Sequence, residues 1–204
     1  MGVYRVRGCR GRHRILILAG LAVCGAALAA ADSPQLVPRA LADGVVLNVP
    51  QRMLFLMREG DVAARYPIAV GTRAWPTFIG PFTIVVKEID PVWDVPASIQ
   101  EEQRQLGKKV LTRVLQGPAN PLGKYWLGLS VPGYGIHGTN APASIGKFAT
   151  HGCVRMRGED IEDLFARVEV GTPGISIYEL IIVAVLDGAL WLRSASRRVQ
   201  VGER

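Results

Sequence analysis

The feature that most restricts the fold of this chain is a series of short apolar runs separated by turn residues. They cover residues 45–49, 53–57, 62–70, 80–89, 124–130 and 174–178. These runs lack helical periodicity, and in the fourth of them Phe82, Ile84 and Val86 alternate with the residues between them, as in a half-buried strand. Residues 180–192 predict a hairpin around Asp187-Gly188. The pattern predicts a mainly β domain built from mixed sheets.

Two segments predict short helices. Residues 158–170 predict an amphipathic helix that stops at Gly171. We expect it to pack on the sheet beneath residues 136–156. Its apolar residues have helical spacing: Ile161, Leu164, Phe165 and Val168. Residues 98–109 predict a polar helix without a broad apolar stripe, inside the proline-rich stretch 89–125. This stretch is interpreted either as a lid or substrate groove or as surface padding.

The residues able to carry chemistry are concentrated in the segment 136–156, IHGTNAPASIGKFATHGCVRM. It contains two of the three histidines, His137 and His151, and the only cysteine after residue 24, Cys153. A nearby histidine lowers the pKa of a cysteine and so favours the thiolate, which attacks carbonyl groups. Gly152 leaves room for its own N–H and that of Cys153 to turn toward a developing oxyanion. The segment therefore predicts acyl transfer through a thioester.

A histidine that acts as the base for a thiol requires a third group that fixes its tautomer. No carboxylate lies within 136–156. The orienting group is therefore Thr139, Asn140, a backbone carbonyl or a distant residue.

The chain resembles the L,D-transpeptidases with a YkuD-like catalytic domain, which remodel bacterial peptidoglycan, in His137-Gly138, a spacer and residues 150–156, THGCVRM. Further matching residues extend this resemblance over residues 45–192: Pro76-Thr77, Gly80, 81–84, 120–123 and 171–173. The resemblance implies a β-sandwich of mixed sheets with one or two short helices.

The resemblance also implies roles for individual residues. Cys153 matches the nucleophile, His137 matches the proton acceptor and donor, and Gly138 matches the position whose carbonyl orients that histidine. His151 matches a second histidine that lies beside the thiol without being the main base. Three residues are candidate substrate contacts: Arg155, for a substrate carboxylate, and the aromatic Trp126 and Tyr134, for the wall of a groove.

The implied reaction begins with attack of Cys153 on the L-centre carbonyl of diaminopimelate in a tetrapeptide stem of peptidoglycan, and the terminal D-alanine leaves. The acyl group then passes to the amine of another stem, giving a 3-3 cross-link, or to the lysine of an outer-membrane lipoprotein. Water as the acceptor would make the chain an L,D-carboxypeptidase. No cofactor is implied.

Two other function classes are open alternatives. A metal site on His137, His151 and Cys153 has an acceptable number of ligands, but their spacing matches none of the usual zinc patterns. A non-catalytic envelope binding protein would keep the fold without the reaction. Labelling of Cys153 by a carbapenem would exclude this second class.

The first residues of the chain predict export. Residues 1–14 contain five arginines and no acid, and residues 15–31 are apolar or small. This is typical of a secretory signal peptide over residues 1–31, with the periplasm or cell envelope as the destination. The alternatives are an uncleaved anchor, at the short edge of the roughly 17 to 25 residues that span a membrane, and a lipoprotein modified at Cys24.

Cleavage would leave about 170 residues, enough for one domain without a stable membrane span. The predicted organisation is a signal peptide 1–31, a linker 32–42, a catalytic domain 43–193 and a basic tail 194–204. The net charge of +7 would lose five arginines, which leaves about +2 and gives no reason to predict a nucleic-acid partner. Cys9 and Cys24 would also be removed, so Cys153 would be a lone exported thiol and a candidate reactive group.

Overall fold

The computed structural model describes residues 2–6, 41–186 and 189–194 of the 204-residue chain, with side chains over 41–180. Its elements in chain order are β1 (Gly2–Val6), β2 (Gly44–Asn48), β3 (Met53–Arg58), β4 (Asp61–Pro67), β5 (Val70–Gly71), β6 (Gly80–Ile89), β7 (Trp93–Asp94), α1 (Ala97–Gln105), β8 (Arg113–Val114), β9 (Tyr125–Leu129), β10 (Gly135–His137), a 3₁₀ turn (Pro142–Ser144), β11 (Phe148–Thr150), β12 (Val154–Arg155), α2 (Gly158–Arg167), β13 (Pro173–Ile177), β14 (Ile181–Leu186) and β15 (Ala189–Ser194). They fall into two compact units, of which the larger is Pro38–Glu179.

The larger unit is built on one mixed sheet of eight strands in the order β12-β10-β9-β6-β13-β2-β3-β4. The pairs β10–β12 and β13–β2 are parallel, and the other neighbours are antiparallel. The sheet curls so that Ala69, just after one edge strand, exchanges two backbone hydrogen bonds of 2.8 and 2.9 Å with Arg155 in the other edge strand. The mainly β fold of mixed strands with two short helices is confirmed.

The core of this unit explains why its strands are so apolar. Every residue of β2 is buried, as are the four central residues of β3, because both faces of these strands are covered. The core continues into the strands and the helix next to the candidate site through fully buried side chains: Leu127, Ile136, Met156, Ile161 and Leu164. Strands β10 and β12 therefore extend from a packed interior.

The structure corrects three details of the predicted elements. A register shift between Ile84 and Val86 ends the predicted alternation in β6 and leaves Val86 exposed. Helix α2 ends at Arg167 instead of reaching residue 170, because Val168 is extended and buries its side chain in the core. The polar helix predicted over 98–109 is the shorter α1, which has no buried residue.

The smaller unit contains the three-stranded sheet β1-β15-β14. Strands β14 and β15 pair antiparallel with Leu186 opposite Ala189, which confirms the predicted hairpin, although the turn residues 187–188 lie outside the described residues. Most of the predicted signal peptide 1–31, nearly all of the linker 32–42 and residues 195–204 of the basic tail also lie outside them. These segments and the domain bounds 43–193 stay predictions. Neither helix in the described ranges has the length and apolar character needed to cross a membrane.

Candidate active site

His137 is held at the end of β10 by backbone pairing and by two contacts of its ring. The strand lies between β9 and β12, and Met156 N–H donates a 2.8 Å hydrogen bond to the His137 carbonyl. The imidazole Nδ1 lies 2.7 Å from the Gly138 carbonyl oxygen, and the ring stacks on Trp126 with centroids 5.9 Å apart. A carbonyl oxygen only accepts hydrogen bonds, so Nδ1 carries the proton and Nε2 is left as the basic nitrogen. The orienting group that the sequence left open is thus a backbone carbonyl in this structure.

Burial sets the charge state of this imidazole. The His137 side chain is almost fully buried, and this desolvation, reinforced by the Arg155 charge, lowers the pKa of His137 to about 4. The carbonyls of Gly138 and Leu122 oppose the shift without cancelling it. At neutral pH the ring is therefore uncharged and able to accept a proton.

Two buried hydroxyl groups clamp the loop that carries Cys153, between β11 and β12. Thr150 Oγ1 donates to the Cys153 carbonyl at 2.6 Å and accepts from Gly152 N–H at 3.2 Å. Thr77 Oγ1 donates to the Gly152 carbonyl at 2.7 Å and accepts from Gly71 N–H at 2.8 Å. These four hydrogen bonds fix the backbone on both sides of residue 152.

Glycine is required at position 152 for two reasons. Its φ of +110° lies in the region that L side chains rarely adopt. A Cβ there would lie 2.8 Å from the ring of Tyr134. The tight turn places the thiol directly after a residue without a side chain.

The thiol of Cys153 is half-buried and has polar backbone groups around it. Its Sγ lies 3.6 Å from the Gly133 carbonyl oxygen, to which the S–H donates. Burial raises the pKa of Cys153 above its usual value, although the Gly135 N–H and the Arg155 charge both act to lower it. Both pKa shifts favour a neutral thiol and a neutral imidazole. This differs from the thiolate that the sequence suggested.

The predicted pair of oxyanion donors is only partly available. The Gly152 N–H is bonded to the Thr150 hydroxyl, so it is not free to stabilise an oxyanion in this arrangement. Within residues 41–180, the Cys153 N–H has no hydrogen-bond acceptor. Gly152 as an oxyanion donor therefore stays a prediction, and it requires that the Gly152 N–H leave the Thr150 hydroxyl.

Arg155 lies two residues after the thiol and has no carboxylate partner within residues 41–180. Its guanidinium donates from Nη1 to Ser144 Oγ at 3.0 Å, and its Nε is buried without an acceptor. Its charge acts on the pKa values of both His137 and Cys153. A partly buried cation beside a candidate nucleophile is a suitable contact for an anionic group of a substrate.

His151 turns toward helix α1. Its Nε2 lies 2.7 Å from Oε2 of Glu102, and its ring centroid is 5.5 Å from that of Trp75. It lies two positions before Cys153 in the chain. The ring is therefore bonded to a carboxylate that the sequence did not connect with the site.

The two aromatic candidates lie against the candidate catalytic groups. Trp126 stacks on His137 and also fills the space above Gly135, where a Cβ would lie 2.2 Å from the indole. Tyr134 donates from its hydroxyl to the Pro76 carbonyl at 3.2 Å and borders Gly152. Both rings thus pack against residues of the candidate site. Their contact with a substrate stays a prediction.

Four residues of this site had no role in the sequence-based prediction: Thr77, Thr150, Gly135 and Glu102. Thr77 and Thr150 lie within the matching motifs, so their types were a usable signal. Glu102 is 49 residues from His151, and no sequence pattern connects them. Within the described residues, no three His, Cys, Asp or Glu side chains are grouped in a way that could hold a metal ion.

Comparison with known proteins relates most of the larger unit to one family. A family model described as the L,D-transpeptidase catalytic domain (YkuD) matches residues 42–177. The chain is 37% identical over 139 residues to the probable L,D-transpeptidase YbiS of Escherichia coli, which covers 67% of this chain and 45% of that protein. It is 34% identical over 128 residues to the putative L,D-transpeptidase YkuD of Bacillus subtilis, with 63% and 62% covered. The chain thus spans less than two thirds of either relative.

Solved structures share the fold at lower sequence identity. The catalytic domain of the Enterococcus faecium L,D-transpeptidase has a TM-score of 0.53 and 22% identity, covering 68% of this chain and 99% of that one. L,D-transpeptidase 3 of Mycobacterium tuberculosis has a TM-score of 0.51 and 20% identity, covering 67% and 61%. Likeness at this level of identity shows the fold.

Proposed function

The chain belongs to the family of L,D-transpeptidase catalytic domains, and from this premise we propose that it is an L,D-transpeptidase with Cys153 as its nucleophile. The observation that carries the proposal is the placement of three groups on and beside the paired strands β10 and β12, where His137 lies opposite Arg155 and Cys153 directly precedes β12. They are a clamped thiol, a neutral imidazole whose Nδ1 is bonded to a backbone carbonyl, and a guanidinium without a carboxylate partner within residues 41–180: Cys153, His137 and Arg155.

The first step forms the thioester. His137 Nε2 accepts the thiol proton as the Cys153 sulfur attacks the L-centre carbonyl carbon of diaminopimelate in a tetrapeptide stem. A neutral thiol next to a neutral base suits this transfer, because charge separates only as the new bond forms. The Cys153 N–H, which has no acceptor within residues 41–180, donates to the developing oxyanion.

The second step releases D-alanine and passes the acyl group on. The tetrahedral intermediate collapses, the bond to the D-alanine nitrogen breaks, and His137 returns the proton to that nitrogen. An acceptor amine then attacks the thioester carbonyl, His137 takes the amine proton, the C–S bond breaks, and His137 passes the proton to the leaving sulfur, which restores the thiol. The proposed acceptor is the diaminopimelate amine of another stem or the lysine of an outer-membrane lipoprotein. Water in its place would give an L,D-carboxypeptidase.

Arg155 is proposed to bind a carboxylate of the stem peptide. Its charge has no acidic partner within residues 41–180, and its Nη1 donates to the neutral hydroxyl of Ser144. A bound carboxylate would compensate this charge and orient the donor at the sulfur. Export to the periplasm or cell envelope, directed by residues 1–31, would bring the protein to such substrates.

The test is intact-mass analysis of the purified protein with disaccharide tetrapeptides and, separately, with a carbapenem. The wild-type protein should form an adduct on Cys153, and the released products should show which acceptor is used. Cys153→Ala should form no adduct while keeping its circular dichroism spectrum. A Cys153→Ala protein that still produces cross-links would contradict the assignment, and a wild-type protein without any adduct would favour a non-catalytic binding protein.

A further inference from the structure

Residues 91–118 leave the large sheet after β6 and return before β9, and we call this segment the strap. Its two ends are pinned together: Asp94 and Arg113 pair across β7 and β8, with Nε and Oδ1 2.7 Å apart. The buried side chain of Asn120 donates to the Pro91 carbonyl at 2.8 Å. The strap thus begins and ends at a fixed base.

Helix α1, in the middle of the strap, has few attachments to residues outside the strap. None of its residues is buried. Its side chains bond mainly within the strap: Gln100 to the Val95 carbonyl, Gln103 to the Leu111 N–H, and Glu101 to Arg104 and Gln105. No fully buried side chain therefore fixes the position of this helix.

One hydrogen bond reaches out of the strap. Oε2 of Glu102 lies 2.7 Å from Nε2 of His151, and both side chains are a little more than one-third exposed. Within residues 41–180, this is the single hydrogen bond from α1 to a residue outside the strap. Its partner lies two residues before Cys153, in the loop that Thr77 and Thr150 clamp. A helix without a buried residue is thus connected to a tightly bonded loop beside the candidate nucleophile.

We propose that Glu102 is a positioning residue that docks α1 against the reactive loop through His151, so that the strap forms one wall of the groove for the stem peptide. The inference rests on the proposed function. It assigns His151 to anchoring the strap, whereas His137 does the proton transfer. An extended peptide donor would contact this wall, but a compact carbapenem would react at the sulfur without it.

The experiment compares Glu102→Ala with Glu101→Ala in the full-length protein. Glu101 is the neighbouring carboxylate on the same helix, and its partners Arg104 and Gln105 are on that helix too. Glu102→Ala should speed amide hydrogen exchange over residues 97–105 and raise the KM for the tetrapeptide donor about two- to fivefold, the range for a half-exposed ion pair. Its acylation by a carbapenem should stay within about twofold of wild type. Glu101→Ala should change none of these quantities.

Two further variants separate docking from a general loss of structure. Glu102→Gln keeps an acceptor oxygen for the imidazole, so it should recover part of the KM and of the exchange protection. Glu102→Ala combined with His151→Ala should be no worse than His151→Ala alone, because both changes remove the same contact. Equal effects of Glu101→Ala and Glu102→Ala, or no effect of Glu102→Ala on exchange, would overturn the proposal. If wild type forms no adduct, the proposed function fails, while the exchange comparison still decides whether Glu102 docks α1.

Discussion

The reactive loop, residues 150–155, and the strap are held in opposite ways. Four hydrogen bonds through two buried hydroxyls fix the loop, and β12 continues it into the core. Helix α1 of the strap buries no residue and reaches the loop through the Glu102–His151 contact. Bond making requires reacting groups held to within about half an ångström, whereas a wall of a substrate groove can open at little cost. The difference teaches that a tightly bonded loop and a helix with few attachments lie side by side at the candidate site.

The same contrast appears in the electrostatics. At the candidate site, burial moves the pKa of His137 in β10 down and that of Cys153 in the reactive loop up, and both shifts favour the neutral groups. On the strap, the ion pairs face solvent, where each contributes at most about 1 kcal/mol. Substitutions at the two segments should therefore differ in the size and the kind of their effects.

The largest expected effect is on the reaction rate. His137→Gln removes the basic nitrogen, so acylation of Cys153 by the tetrapeptide donor should slow about 10²- to 10⁴-fold. Single-turnover mass spectrometry measures this rate, and Glu101→Gln on the strap is the matched control that should react as wild type does. If a His137→Gln protein acylates at the wild-type rate, substitutions at the candidate site and on the strap would not differ in their effect on the reaction rate.

The second effect is an acid-dependent loss of stability from the buried imidazole. The folded pKa of His137, about 4, lies below the usual 6.5, so the unfolded chain binds the extra proton first as the pH falls. This contribution is therefore absent above pH 6.5 and reaches about 3 kcal/mol of destabilisation near pH 4. Urea unfolding at pH 7, 5 and 4 should show a steeper decline for wild type than for His137→Gln. Parallel declines would contradict a depressed pKa.

A smaller loss of stability is expected from crowding the site. A Cβ at Gly135 would lie 2.2 Å from the Trp126 indole, which in turn stacks on His137. Gly135→Ala should therefore cost about 1–3 kcal/mol of unfolding free energy and also slow acylation. Gly158→Ala is the control, because a Cβ there meets open space at the start of α2, and its effect should stay within about 0.5 kcal/mol. Equal stability of the two variants would show that the indole moves aside freely.

The smallest effect is expected on the strap itself. Arg104→Ala removes the exposed ion pair with Glu101 on α1, so the unfolding free energy should change by less than about 0.5 kcal/mol. Urea titration at low and high salt measures the difference. A loss above about 2 kcal/mol would mean that the strap contributes to global stability as the reactive loop does.

Prediction from sequence succeeded where local pattern decides structure. The bounds predicted for the fourth apolar run are those of β6, and the hairpin around residues 187–188 has the predicted pairing. Prediction failed in β6 and in α2 where packing intervenes. The bulge after Ile84 and the early end of α2 at Arg167 follow from how the strand and helix meet their neighbours, which no local pattern records.

The candidate site divides in the same way. The sequence alone was enough to select His137, His151 and Cys153, which lie in one short segment. A nucleophile and its base require particular residue types, and these are visible without the fold. The clamp by Thr77 and the anchor at Glu102 come from 76 and 51 residues before Cys153, so only the folded chain brings them near. The tertiary structure also decided the charge states of the imidazole and the thiol. A pKa depends on burial and on surrounding dipoles, which exist only once the chain has folded.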